Sequence, residues 1–166
     1  MFDIGETVVY GTSGICEITE ISANIPGFPK GEKEYYVLKQ LCAENSIIYA
    51  PVEGAKIPMR KILTKAQTEA LISSFPEIDA LILENPKHRE VEYRQILKTT
   101  DCKLLISLMK TLYARNEGRI QNGKKVNDTD EKYFKMVRDK LFSEFSYSLG
   151  IQKDQIEDFI NEKLNA

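Results

Sequence analysis

Thr7-Val8-Val9-Tyr10-Gly11-Thr12-Ser13-Gly14-Ile15-Cys16-Glu17-Ile18-Thr19-Glu20-Ile21 decides the reading of the first half of the chain. Two β-branched and aromatic runs flank a four-residue segment bounded by glycines, which supply positive φ in a tight turn without steric cost. The pattern predicts a hairpin, with Ile15 and Glu17 on one face of its second strand and Cys16 and Ile18 on the other. Residues 22–32 contain Pro26, Gly27, Pro29 and Gly31 and read as a loop. Strands are expected at 34–38 and 46–50, separated by a turn around Ala43, Glu44 and Asn45. Pro51 ends the fourth strand, and 59–62 supplies a short fifth. Five short strands with no helix between them predict a small SH3-like or Tudor-like barrel, since closing the sheet removes its edges.

From Thr64 the hydrophobic period becomes helical. Thr64-Lys65-Ala66-Gln67 fits a capping box, opening a helix that runs to about Ser74 and is bounded by Pro76. A second short helical segment is expected at 77–83 and a third helix at 89–98. The fourth follows Thr100 and Asp101 and carries Leu104, Leu105, Leu108, Met109, Leu112 and Tyr113 as a core stripe. Residues 116–127 read as a polar loop. A fifth helix starts at Asp128 with Phe134, Val137, Leu141 and Phe145 as its apolar set and ends at Gly150; a sixth spans about 154–164. The expected organisation is therefore a five-stranded barrel over 1–63 followed by a helical bundle over 64–166.

The chain has 166 residues, 42% hydrophobic and 29% charged, with no low-complexity tract, and this composition is that of a folded protein. No apolar run approaches a membrane span, and the N-terminal residues lack a basic region followed by an apolar stretch. A cytoplasmic protein with no membrane partner is expected. The net charge of −2 conceals an asymmetry: residues 1–80 carry 7 Lys/Arg against 11 Asp/Glu, whereas 87–125 carries 10 against 4. The basic stretch suits a polyanionic partner, and a solvated helical surface accounts for it equally well on charge alone.

Several chemistries lose support. Cys16, Cys42 and Cys102 are widely spaced and His88 is the sole histidine, which provides neither a zinc-ligand pattern nor a disulfide framework. No phosphate-binding glycine signature is present, and Ser13 has no base near it in sequence. Asp128 and Glu131 are accounted for by their place at a helix N-terminus. No metal, cofactor or catalytic residue is expected, and the protein reads as a non-enzyme. Lys87, His88 and Arg89 at the start of one helix form a possible phosphate-contacting group, and nothing resembles a base-reading recognition helix, so any nucleic-acid binding should be weak and largely sequence-nonspecific.

The order of motifs resembles the CarD/CdnL family of bacterial transcription regulators. Gly5-Glu6-Thr7-Val8-Val9-Tyr10 and Gly14-Ile15-Cys16-Glu17-Ile18 are similar to that family's opening hairpin, Glu34-Tyr35-Tyr36-Val37-Leu38 to its Y-Y-V-L strand, and Ile47-Ile48-Tyr49-Ala50-Pro51-Val52 to its strand ending in V-P-V. Met59-Arg60-Lys61-Ile62 resembles the closing segment, and Arg94-Gln95-Ile96-Leu97, Leu112-Tyr113 and Asp130-Glu131-Lys132-Tyr133 fit the helical part. The resemblance implies that the Tudor-like domain binds the RNA polymerase β subunit through strand 46–51, with Asn24, Ile47, Tyr49 and Pro51 at the contact. It also implies that the helical domain contacts promoter DNA and modulates open-complex stability. Pro86, Lys87, His88, Arg89 and Lys132 are the candidate DNA contacts; Pro86 stands where family members carry a wedging Trp that this chain lacks, and a plain helix-start proline accounts for it better than a wedge. Tyr49 and Asn24 stand at or near positions where family members can carry polymerase-contacting charges. The alternative is an adaptor that binds polymerase and has no DNA activity.

Overall fold

A computed structural model describes residues 1–44, 46–83 and 85–165, with the side chain of Pro86 also outside the described set. The chain divides into two compact units, Met1–Ile62 and Leu63–Ala166. No described helix is long and apolar enough to cross a membrane.

The first unit is an antiparallel sheet: β1 (Thr7–Tyr10), β2 (Gly14–Ser22), β3 (Tyr35–Gln40), β4 (Ile47–Pro51) and β5 (Met59–Lys61). The hairpin joining β1 and β2 turns through a single 3-10 turn, Gly11–Ser13, with Gly11 at φ 46° and Gly14 at φ 78°. Alternation places Val8, Tyr10, Cys16, Ile18, Tyr36, Leu38 and Ala50 together in one apolar core. Phe2 closes one end of this core, its ring edge-on to Tyr36 and its N–H donating to the Tyr36 hydroxyl at 3.1 Å.

The strand order is β4-β3-β2-β1-β5, so the expected barrel is an open sheet among the described residues, with β4 and β5 as its edges. Two prolines account for this. Pro51 ends β4 and Pro58 directly precedes β5; neither has an N–H to donate, and three-residue β5 has its ladder on β1 alone. Asn45, which falls in the expected turn, lies outside the described residues.

In the second unit the described α-helices are α1 (Lys65–Ser73), α2 (Arg89–Lys98), α3 (Cys102–Gln121), α4 (Asp128–Leu149) and α5 (Ile156–Leu164). The Thr64 and Gln67 capping box is present, with reciprocal bonds of 3.1 and 2.9 Å. Gly150 ends α4 in the left-handed conformation, φ 69°. Ile72, Tyr93, Leu105, Ile106, Leu108, Leu112, Tyr133, Val137, Leu141, Phe145 and Ile156 form the shared core.

Three expectations are corrected. Residues 78–83 are not helical: the Lys110 ammonium donates to the carbonyls of Phe75 and Ile78, Thr111 Oγ1 donates to Leu81 O at 2.9 Å, and Leu81 N–H donates to Ser107 O. The segment lies along α3 and takes hydrogen bonds from that helix instead of closing its own turns. The core stripe of α3 includes Ile106, while Tyr113 is 59% exposed. The expected loop 116–127 begins only after Gln121, because Asn116 is buried and its Oδ1 accepts from Asn127 N–H, tying the end of α3 to the start of α4.

Candidate functional site

Edge strand β4 is the first candidate. Gln40 N–H donates to Ser46 O and Val52 N–H donates to Glu34 O, both at 3.0 Å, and the register pairs Val37 with Tyr49 and Tyr36 with Ala50. Antiparallel ladders alternate between bonded and non-bonded pairs. Ile48 and Ala50 therefore spend their backbone groups on β3, whereas Ile47 and Tyr49 direct both N–H and C=O to the open edge. Pro51 offers only its carbonyl there and ends the run. The three β4 residues selected from sequence, Ile47, Tyr49 and Pro51, are thus the ones facing away from the ladder. Their side chains lie on the outward face, with Ile47 57% exposed. Asn24 is exposed in the loop after β2, its N–H donating to Ser22 Oγ at 3.1 Å.

The second candidate is the basic group of the helical unit. Lys87 and His88 are exposed in a 3-10 turn, Pro86–His88, that is capped by the Asn85 side chain accepting from Lys87 N–H. Pro86 contributes backbone to this turn; the candidate DNA contact at Pro86 falls on a side chain outside the described residues. Lys132 is exposed on the first turns of α4, its Nζ 5.6 Å from the Tyr133 ring centroid. Arg89 differs from these. Its Nε donates to Asp130 Oδ1 at 3.1 Å, and its side chain is only 22% exposed.

Asp130 is the residue that sequence reasoning passed over in favour of its neighbours Asp128 and Glu131. Its side chain is fully buried and accepts from Arg89 on α2, Arg115 on α3 (2.9 Å) and the Tyr93 hydroxyl on α2 (2.9 Å). Burial pushes its carboxyl up, but the hydrogen bonds from Arg115, Tyr93 and Arg89 outweigh that and hold it below the ordinary Asp range. Burial, followed by the bond to Asp130, pushes the Tyr93 hydroxyl up to about 12. One carboxylate thus gathers two guanidinium groups from separate helices. Arg119, one turn beyond Arg115, pins the following loop by donating from Nε to Lys125 O at 2.8 Å, which fixes the backbone that carries Lys124 and Lys125.

The cysteines are free thiols, Cys16 and Cys102 buried and Cys42 exposed. Ser13 lies in the β1–β2 turn, and its carbonyl accepts from Gln40 Nε2. Among the described residues no cluster of three or more His, Cys, Asp or Glu is placed to hold a metal ion.

Residues 2–63 match the model of the CarD-like/TRCF RID domain. The N-terminal unit belongs to this family of RNA polymerase-interacting domains. The match covers the whole sheet, including both edges, so the open β4 edge is part of a RID domain. No curated protein matches the chain.

Proposed function

We propose that this protein is a cytoplasmic, non-catalytic transcription regulator whose RID domain binds the polymerase β subunit and whose helical unit touches promoter DNA to modulate open-complex stability. The observation that carries the reading is the free edge of β4 in a domain of polymerase-interacting type: the backbone groups of Ile47 and Tyr49 are available to a strand from the partner. Backbone pairing supplies affinity, and the outward side chains of Ile47, Tyr49 and Pro51 select the partner. Tyr49→Asp places a charge in the middle of that strip and should weaken binding to the isolated β subunit at least about tenfold. An unchanged affinity would count against strand pairing.

For the helical unit, Lys87, His88 and Lys132 are the exposed groups offered to phosphates, and Arg89, which follows His88 in the chain, shares the Asp130 carboxylate with Arg115. Lys87→Glu with Lys132→Glu should shorten promoter-complex lifetime and make DNA binding less salt-dependent, lowering the salt slope by about 2. The adaptor reading, polymerase binding without DNA activity, has one observation in its favour: Arg89 commits its Nε to Asp130 and retains little exposed surface for a phosphate. A DNA titration at low salt separates the two.

A further inference from the structure

The loop between β2 and β3 folds Phe28 over the outward face of β3 and β4. Its ring centroid lies 5.0 Å from that of Tyr35 and 6.1 Å from that of Tyr49, the second contact edge-on. Phe28 nevertheless remains 42% exposed. The loop that presents it is fixed: Ile25 is buried, Phe28 N–H donates to Ile25 O at 3.1 Å, and Gly31 N–H donates to Ala23 O at 3.0 Å. Along β3 and β4 this face carries Tyr35, Val37, Lys39, Ile47, Tyr49 and Pro51, of which Lys39 is the one charged residue, in the row farthest from Pro51. Asn24, in the same loop as Phe28, brings no charge.

We propose that this aromatic face is the specificity element of polymerase docking: the strand that pairs with β4 carries an apolar side chain opposite Tyr49, and that side chain packs on Phe28 and Tyr49. The inference rests on the polymerase-binding reading and adds to it the chemistry of the contact and a residue, Phe28, that the strand pattern does not reveal. A strand added outside β4 runs about 4.8 Å away, which brings its outward side chain opposite Tyr49 to about 5 Å, Cβ to Cβ. A charged side chain there would be desolvated against two rings, and the one charge in its row, Glu20 on β2, lies beyond Val37, three strand spacings or about 14 Å from the added strand. Exposed aromatic rings on fixed backbone are the usual anchors of protein interfaces. The contact is therefore apolar rather than ionic.

The test uses the full chain and core RNA polymerase, with Kd measured at about 0.05 and 0.5 M salt, where the screening length changes severalfold. The expected result is wild-type binding that changes by less than about threefold across this range, and Phe28→Ser binding weaker by about tenfold or more. Phe28→Leu keeps an apolar contact and should remain within about threefold of wild type. Far-UV circular dichroism and melting of each variant establish that the sheet is intact; if Phe28→Ser fails to fold, the wild-type salt response and Phe28→Leu decide. Wild-type binding that persists unchanged in Phe28→Ser, or that falls about tenfold with salt, would overturn the apolar contact and leave the polymerase reading standing. Failure of the wild-type chain to bind polymerase would remove that reading itself.

Discussion

Replacing Asp130 by Asn changes one atom and tests what holds the helical unit together. The carboxylate has no exposed surface and accepts three hydrogen bonds, from Arg89 Nε at 3.1 Å, Arg115 Nε at 2.9 Å and Tyr93 Oη at 2.9 Å. The amide retains one oxygen and turns an NH₂ group toward a donor, so at least one of these bonds is lost and two guanidinium groups lose their shared counter-charge. Breaking a fully buried ion pair costs about 3–5 kcal/mol, but the two arginine side chains are 22% and 36% exposed and can be partly rehydrated, which places the cost near the lower bound, about 3 kcal/mol. For a unit of about 100 residues this corresponds to a fall in Tm of roughly 12–20 °C. Urea denaturation and thermal melting followed by far-UV circular dichroism, to which the helices contribute most, measure it directly. The pH dependence supplies a second check. Because the native carboxyl is held below its unfolded value of 3.8, its contribution is complete above that pH, declines as pH falls below it, and is gone below the depressed native value. The gap between wild type and Asp130→Asn should therefore close in strong acid. A variant within about 4 °C of wild type at neutral pH would refute the clamp.

Gly11→Ala should destabilise the sheet by about 1–2 kcal/mol, because Gly11 sits at φ 46° and an added Cβ would lie 2.5 Å from Ile57 Cγ2; denaturant titration of the variant measures this. At Gly54, φ 70° with open space around the added carbon, the same change should cost only the backbone component, about 1 kcal/mol. Timed alkylation at mildly alkaline pH followed by mass spectrometry should label Cys42 first, since Cys16 is buried and its thiol is pushed up to about 11 by burial and then by the nearby Cys42; prior modification of Cys16 would contradict its placement in the core. Thr64→Ala removes one arm of the capping box and should lower stability by about 1 kcal/mol, read from the denaturation midpoint.

The parts of the fold visible in the sequence are those whose cause is local. The capping box at Thr64 and Gln67, the positive-φ glycines at Gly11 and Gly14, and the stop at Gly150 each depend on residues within a turn of one another. Segment 78–83 was not readable because its hydrogen-bonding partners Ser107, Lys110 and Thr111 lie on a later helix, and a short apolar run carries no mark of which backbone will satisfy it. Barrel closure depends on pairing between β4 and β5, to which β-propensity is blind, although Pro51 and Pro58 were available as signals against it. The same division holds for the candidate sites. Ile47, Tyr49 and Pro51 were selected through the resemblance to the CarD/CdnL family, and alternation along β4 puts the three on one face. Asp130 was not, because its meaning comes from Arg89, Tyr93 and Arg115 meeting across three helices, and Phe28 was not, because a loop brings it to Tyr35 and Tyr49.

Amide hydrogen exchange at residue resolution, with and without the polymerase β subunit, tests the edge-pairing account most directly. The amides of Ile48 and Ala50 are already committed to β3, whereas those of Ile47 and Tyr49 face the open edge. Binding by strand addition predicts that Ile47 and Tyr49 become strongly protected while Ile48 and Ala50 change little. A bound complex in which Ile47 and Tyr49 exchange as freely as in the unbound protein would contradict it.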